Sequence, residues 1–268
     1  MCDSFRMTMP CRAVVLVSLI LAGCVPAAMP DPAAPPAAAS TASAAGAHAV
    51  AEANDLYDFA YSWPAAAGAI AGLRKELDGW LAERRNQLLA DAQDQQRAAR
   101  EGGFPYHPLA SRTQWQVIAD LPRLLSLSGE FYSFTGGAHG MSGVEGLIWD
   151  RAADRVVPAL DLFVSPAAFE GAVRGPFCAA LDAERARRRG PENLQDAGGM
   201  FADCPALSEL TVLPGSSTGR AFDRIGLYAG PYVAGPYAEG SYDITLPVTG
   251  AVLAAVRPEY RADFALAR

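Results

Sequence analysis

The stretch "DLYDFAYSWP", Asp55 to Pro64, puts Leu56, Asp58, Ala60 and Ser62 on one parity and Tyr57, Phe59, Tyr61 and Trp63 on the other. Successive side chains of a strand point to opposite faces, so the alternation predicts a strand with four aromatics on one face, ended by Pro64. From Ala65 to about Arg100 the period changes. Ile70, Leu73, Leu77, Trp80, Leu81, Leu88 and Leu89 recur at steps of three and four with charges between them, which is the pattern of a long amphipathic helix. Its apolar stripe is read as core covering a sheet. The strand and the helix together read as a layer of sheet covered by a helix.

Upstream, the chain changes character. Arg6 and Arg12 precede a short apolar run, Val14 to Leu21, which closes on "LAGC", Leu21 to Cys24. A membrane-spanning helix needs about 20 apolar residues, so this run reads as a signal sequence rather than a span. The "LAGC" tetrapeptide resembles a bacterial lipobox, which makes Cys24 the expected lipidation site and residues 1–23 a lipoprotein signal peptide. Val25 after Cys24 favours the outer membrane, so the expected location is the periplasmic side of the envelope, anchored by lipid. Residues 24–49 are almost entirely alanine, proline, serine and glycine, the composition of a tether, and His48 within it is expected simply to be exposed. Behind the tether two small subdomains are expected, residues 50–127 and residues 128–268.

Downstream, "EGGFPYHP" ends the helix, with His107 facing solvent, and Trp115–Ala119 and Leu124–Thr135 read as strands. Val144–Trp149, a turn at Asp150 to Asp154 and a short strand from Arg155 make a hairpin. Ser165 as N-cap and Pro166 at the first helical position open a helix that ends at Gly190, with Gly175-Pro176 as a point of kinking. The arginines from Arg185 to Arg189 are read as charge complementing the helix dipole on a solvated last turn. "GPENLQDAGGM" is loop, "ELTVLP" and "RAFDRIGLYA" flank the turn "GSSTG", and Tyr242–Leu246 is a strand that leads through Pro247 into a short helix.

Composition narrows the function. A chain of 268 residues that is 51% hydrophobic and 19% charged is a folded protein, and its formal charge of −7 lacks the basic excess that nucleic acid binding draws on. If Cys24 carries lipid, the mature chain keeps Cys178 and Cys204. In an oxidising compartment they form either a disulfide, worth about 3 kcal/mol in the chain-entropy view, or a pair of buried thiols.

Motifs for catalysis are sparse. "GSSTG", Gly215 to Gly219, matches G-x-S-x-G around Ser217, but a nucleophile elbow needs a helix after it and a later histidine, and no histidine follows Ser217. The three histidines are far apart and no C-x-x-C pair exists, so no metal site is expected. No G-x-G-x-x-G or P-loop pattern appears, and no cofactor is expected. "SFTGGAHGMSG", Ser133 to Gly143, packs glycines around His139. Gly136, Gly137 and Gly140 are expected to supply positive φ for a tight turn, with His139 bracing it through hydrogen bonds; catalysis by His139 with an unassigned acid is the alternative.

"YSFTGGAHG", the strand ending in "WD" and "ALDLF" together resemble the extracellular module shared by RsiV-type anti-sigma factors and PdaC-type peptidoglycan deacetylases. The matching residues are Tyr132, Gly136 to Gly140 and Asp161 to Phe163. The late loop is also similar, through Tyr232, Gly235, Pro236, Tyr237 and Gly240. The resemblance covers Phe131 to the C-terminus well and the preceding strand and helix more loosely. It implies an α+β architecture, with mixed or antiparallel sheets packed against helices in two small subdomains, and a cell-envelope role, with a lysozyme-like protein or peptidoglycan as partner. No deacetylase metal motif and no sigma-binding segment are found, so neither deacetylation nor anti-sigma activity is expected. The expected binding surface is Gly136, Gly137 and His139 together with Tyr228, Tyr232, Tyr237 and Tyr242.

Overall fold

The computed structural model describes residues 46–190, 199 and 201–267. The signal sequence, Cys24, most of the tether and residues 191–198 of the loop after the arginine run lie outside the described residues.

Two sheets and two long helices make the α+β fold. The first sheet has the order β1-β2-β3-β4-β5-β6, formed by His48–Ala53, Tyr57–Trp63, Leu109–Asp120, Leu124–Phe134, Met141–Asp150 and Arg155–Val157. All of its neighbours are antiparallel except β2 and β3. A parallel pair needs a long crossover, and the chain provides one through a short helix α1, Ala65–Gly68, and the 32-residue α2, Ala71–Gly102. The second sheet, β7-β8-β9, is antiparallel and uses Leu210–Gly215, Arg224–Ala229 and Tyr242–Pro247.

The alternation in Tyr57–Trp63 takes the expected form: Tyr57, Phe59, Tyr61 and Trp63 are all buried, on the face that α2 covers. Leu73, Leu77 and Leu88 of α2 meet them, together with Leu125, Leu127, Leu147 and Trp149 from β4 and β5. Burying one such side chain contributes about 1.5–3 kcal/mol, so this cluster is what fixes the helix to the sheet. A second core lies on the other side of the first sheet. There α3, Pro166–Arg189, buries Phe169, Val173, Phe177 and Leu181 against Phe222, Leu227 and Tyr242, and α4, Gly250–Ala255, adds Val252. Ser165 caps α3 by accepting from the Ala168 N–H at 3.0 Å, and the helix runs through Pro176 without ending.

Four expectations are corrected. The boundary at residues 127 and 128 falls inside β4, because hydrogen bonding to both β3 and β5 makes that strand the middle of a sheet that closes only at Val157. The tether ends earlier than Ala49, since His48 already opens β1. His48 is therefore not merely exposed: it pairs with Trp63 across the ladder and stacks on its indole, with ring centroids 4.4 Å apart. The arginine run is not a solvated last turn either. Arg185 is 4% exposed and donates to the Ala234 carbonyl at 3.0 Å, while Arg188 donates to the carbonyls of Glu239 and Ser241 at 2.9 and 2.7 Å. The partners that draw these guanidinium groups in lie about fifty residues further along the chain. The Cys178–Cys204 disulfide is formed, with Cα atoms 5.6 Å apart, and ties α3 to the segment leading into β7.

Candidate functional site: an aromatic platform on a glycine turn

Between β4 and β5 the chain turns through Thr135 to Gly140. Gly136 and Gly137 have φ of 97° and 96°, conformations that side chains disfavour, as the glycine spacing predicts. Gly140 serves differently from expectation. Its φ is not positive; instead a Cβ there would lie 2.5 Å from the Tyr132 ring, so the missing side chain lets that ring lie on the backbone.

The Gly140 carbonyl is the node of the site. It is 3.0 Å from His139 Nδ1 and accepts the Tyr237 hydroxyl at 3.0 Å. A carbonyl can only accept, so His139 carries its proton on Nδ1 and its Nε2 is left to accept from the Tyr232 hydroxyl, 3.4 Å away. His139 stacks on Tyr237 with centroids 4.0 Å apart and 23° between the rings. Tyr232 lies 6.5 Å from the imidazole and 5.6 Å from Tyr237. These rings, with Tyr132 under the Arg112 guanidinium, form a platform in which Tyr232 and Tyr132 are 49% and 37% exposed.

Tyr232 has φ of 70° although it is not glycine. Holding such a residue in the left-handed region costs on the order of 1–3 kcal/mol, and hydrogen bonds from Tyr232 N to the Gly235 carbonyl and from Val233 N to the Gly230 carbonyl, both 3.1 Å, keep the loop there. The loop is clamped from below by α3. Arg189 pairs with Glu239 at 2.8 Å, and the Tyr242 hydroxyl donates to the same carboxylate. The Arg189 bond holds the Glu239 carboxyl below its ordinary range, against the opposing effect of burial.

The expected binding residues therefore divide. Gly136, Gly137, His139, Tyr232 and Tyr237 come together. Tyr242 does not join them: it is fully buried in β9, with its ring under Arg188 at 4.0 Å, so it supports the loop from inside. Tyr228 also stands apart, half-buried within β8 opposite Thr211 and Asp243. Among the described residues, no carboxylate is hydrogen-bonded to His139. Ser217 lies in the turn after β7, where its N–H donates to Asp223 at 2.8 Å and its hydroxyl bonds the same carboxylate. Among the described residues no group of three or more His, Cys, Asp or Glu could hold a metal ion, and no helix is long and apolar enough to cross a membrane.

A feature that sequence reasoning missed is a cleft of about 560 Å³ between α2 and the first sheet, bordered by Trp80, Arg84, Trp115 and Glu145. The available signal was the continuation of the apolar stripe. Beyond Trp80 the three- and four-residue steps pass through Arg84, Gln87 and Asp91, so the flank of α2 beside the buried Leu88 and Ala92 becomes polar.

Comparison with known proteins agrees with this architecture. The family model described as Deacetylase PdaC matches residues 50–142, the part of the chain where the resemblance read from motifs was looser. A solved DUF3298 family protein from Pseudomonas aeruginosa PAO1 is similar with a TM-score of 0.52 and 18% identity, over 79% of this chain and 94% of its own. A DUF3298 family member from Bacteroides fragilis NCTC 9343 gives a TM-score of 0.46 and 18% identity, over 75% of this chain and 88% of its own. No curated protein matches the sequence. The chain is therefore similar to the Deacetylase PdaC model over residues 50–142 and shares its fold with the DUF3298 family protein of Pseudomonas aeruginosa.

Proposed function

We propose that this chain is a non-enzymatic cell-envelope lipoprotein, anchored through Cys24, that binds a lysozyme-like protein or peptidoglycan with its aromatic platform. The observation that carries the reading is the exposed stack of Tyr232, His139 and Tyr237 over the Gly140 carbonyl. Tyrosine offers a large, stiff, amphipathic contact surface with little rotamer entropy to lose, which is why it concentrates binding energy at protein interfaces and also stacks on sugar rings. A strained backbone at Tyr232 is retained at a net cost to the fold, and such outliers cluster at binding sites. The hydrogen bonds of His139 run to a carbonyl and a phenol rather than to an acid, which supports bracing over proton transfer. The net charge of −7 steers basic partners towards the protein and repels acidic ones.

The test is co-sedimentation of the purified protein with lysozyme and with peptidoglycan, with glycan cleavage followed in the same samples. Retention of the protein without cleavage is the expected result. Cleavage that disappears in a folded His139→Ala variant would replace this reading with a hydrolase that uses His139.

A further inference from the structure

We infer that the cleft between α2 and the first sheet is a binding site for an uncharged oligosaccharide. It goes beyond the proposal for the platform and stands on different residues. The cleft encloses about 560 Å³, within the range of roughly 300–1,000 Å³ typical of small-molecule sites. Its floor is Trp115, which pairs with Gly129 across β3 and β4; a Cβ at Gly129 would lie 3.0 Å from the indole, so the glycine lets the ring lie flat on the neighbouring strand. The Trp115 N–H is occupied, donating to the Tyr61 hydroxyl at 2.8 Å, which fixes the ring. Trp80 from α2 stands as a wall, 6.1 Å from Trp115 between ring centroids and tilted by 35°.

Around the two indoles the lining is polar in a particular way. Arg84 donates to Glu145 at 2.6 Å and to the Thr113 hydroxyl at 3.1 Å, so its charge is already compensated. The remaining polar lining comes from Glu83, Gln87, Asp91, Ser111, Ser133 and Thr135. This excess of carboxylates repels phosphates and acidic sugars, and the polar rim disfavours a purely apolar guest. A neutral sugar satisfies both halves: its C–H face packs on the half-buried indole of Trp80 above the buried Trp115, and its hydroxyls donate to carboxylates and share hydrogen bonds with Gln87 and the serines. A helix that covers a sheet ordinarily turns apolar residues inward. Here the flank of α2 that borders the cleft carries Arg84, Gln87 and Asp91, and Gln87 and Asp91 stay exposed, where the hydroxyl groups of an occupant can reach them.

The test titrates the purified full chain with chitotetraose, following tryptophan fluorescence and the heat of binding, with tetragalacturonate and tetralysine as charged comparisons. Saturable binding of chitotetraose alone is expected, weakened at least tenfold by Trp80→Ala. Gln87→Leu, which leaves the core cluster untouched, is expected to weaken it similarly and stands in if Trp80→Ala fails to fold. Tyr232→Ala should leave this affinity unchanged, so the cleft and the platform are judged separately. The inference is overturned if chitotetraose gives no saturable signal, if either charged oligomer binds as tightly, or if the folded cleft variants bind like the parent.

Discussion

The imidazole of His139 lies face to face with the ring of Tyr237, 4.0 Å between centroids, and both side chains reach the carbonyl of Gly140. Two loops that are almost a hundred residues apart in sequence are joined at one oxygen atom. The β4–β5 turn supplies the backbone and the histidine, and the Ala229–Tyr242 connection supplies the tyrosines.

Removing either half of this joint should be felt as stability. An aromatic pair contributes about 0.5–1.5 kcal/mol beyond its buried area, and a neutral hydrogen bond about 0.5–1.5 kcal/mol, so His139→Ala is expected to destabilise the fold by about 1–2 kcal/mol in urea melts. Gly140→Ala puts a Cβ 2.5 Å from the Tyr132 ring and should cost about 1–3 kcal/mol, with Tyr132 displaced. A His139→Ala melt that matches the parent would show that the joint does not hold the platform.

Acid should loosen the platform from its support. The Arg189 bond lowers the Glu239 carboxyl below its ordinary value, so the stability it contributes is fully present above the ordinary carboxylate range and is lost as pH falls through the depressed value. Arg189, Tyr242 and Arg185 act on this group directly, and Arg188 holds the Glu239 carbonyl. Near-ultraviolet circular dichroism should show a tyrosine transition at acid pH that is absent from Glu239→Gln. An unchanged acid transition in that variant would remove Glu239 from the mechanism.

Reduction tests the middle of α3, where Cys178 lies. Cys178 and Cys204 are 26 residues apart, and opening a loop of that size should cost about 3 kcal/mol in the chain-entropy view. Cys178→Ser together with Cys204→Ser is expected to lower the urea midpoint by that equivalent. Equal midpoints with and without the bridge would contradict it.

How much of this was legible depended on how local each cause is. Tyr57 to Trp63 declared itself because one face of β2 is wholly buried, which forces strict alternation. His48–Ala53 did not, since an edge strand of small residues, mostly exposed, carries little apolar pattern. The glycines of the turn were readable as geometry, although Gly140 gives way to a neighbouring ring rather than to a positive φ. Arg185, Arg188 and Arg189 were misread because helix-end charge has a sufficient local explanation, whereas their partners at Ala234, Glu239 and Ser241 are distant in sequence. The cleft needed the register of Trp115 on Gly129, which no single segment contains.

The central claim is that Tyr232 is held in a strained conformation for the sake of binding, and Tyr232→Gly addresses it most directly. Glycine accepts a φ of 70° without strain while the exposed ring is removed. Calorimetric affinity for lysozyme and for peptidoglycan, read beside the melting temperature, should show binding weakened at least tenfold while the melting temperature holds or rises. Unchanged affinity for the bound partner, or loss of affinity that merely follows a lowered melting temperature, would contradict the account.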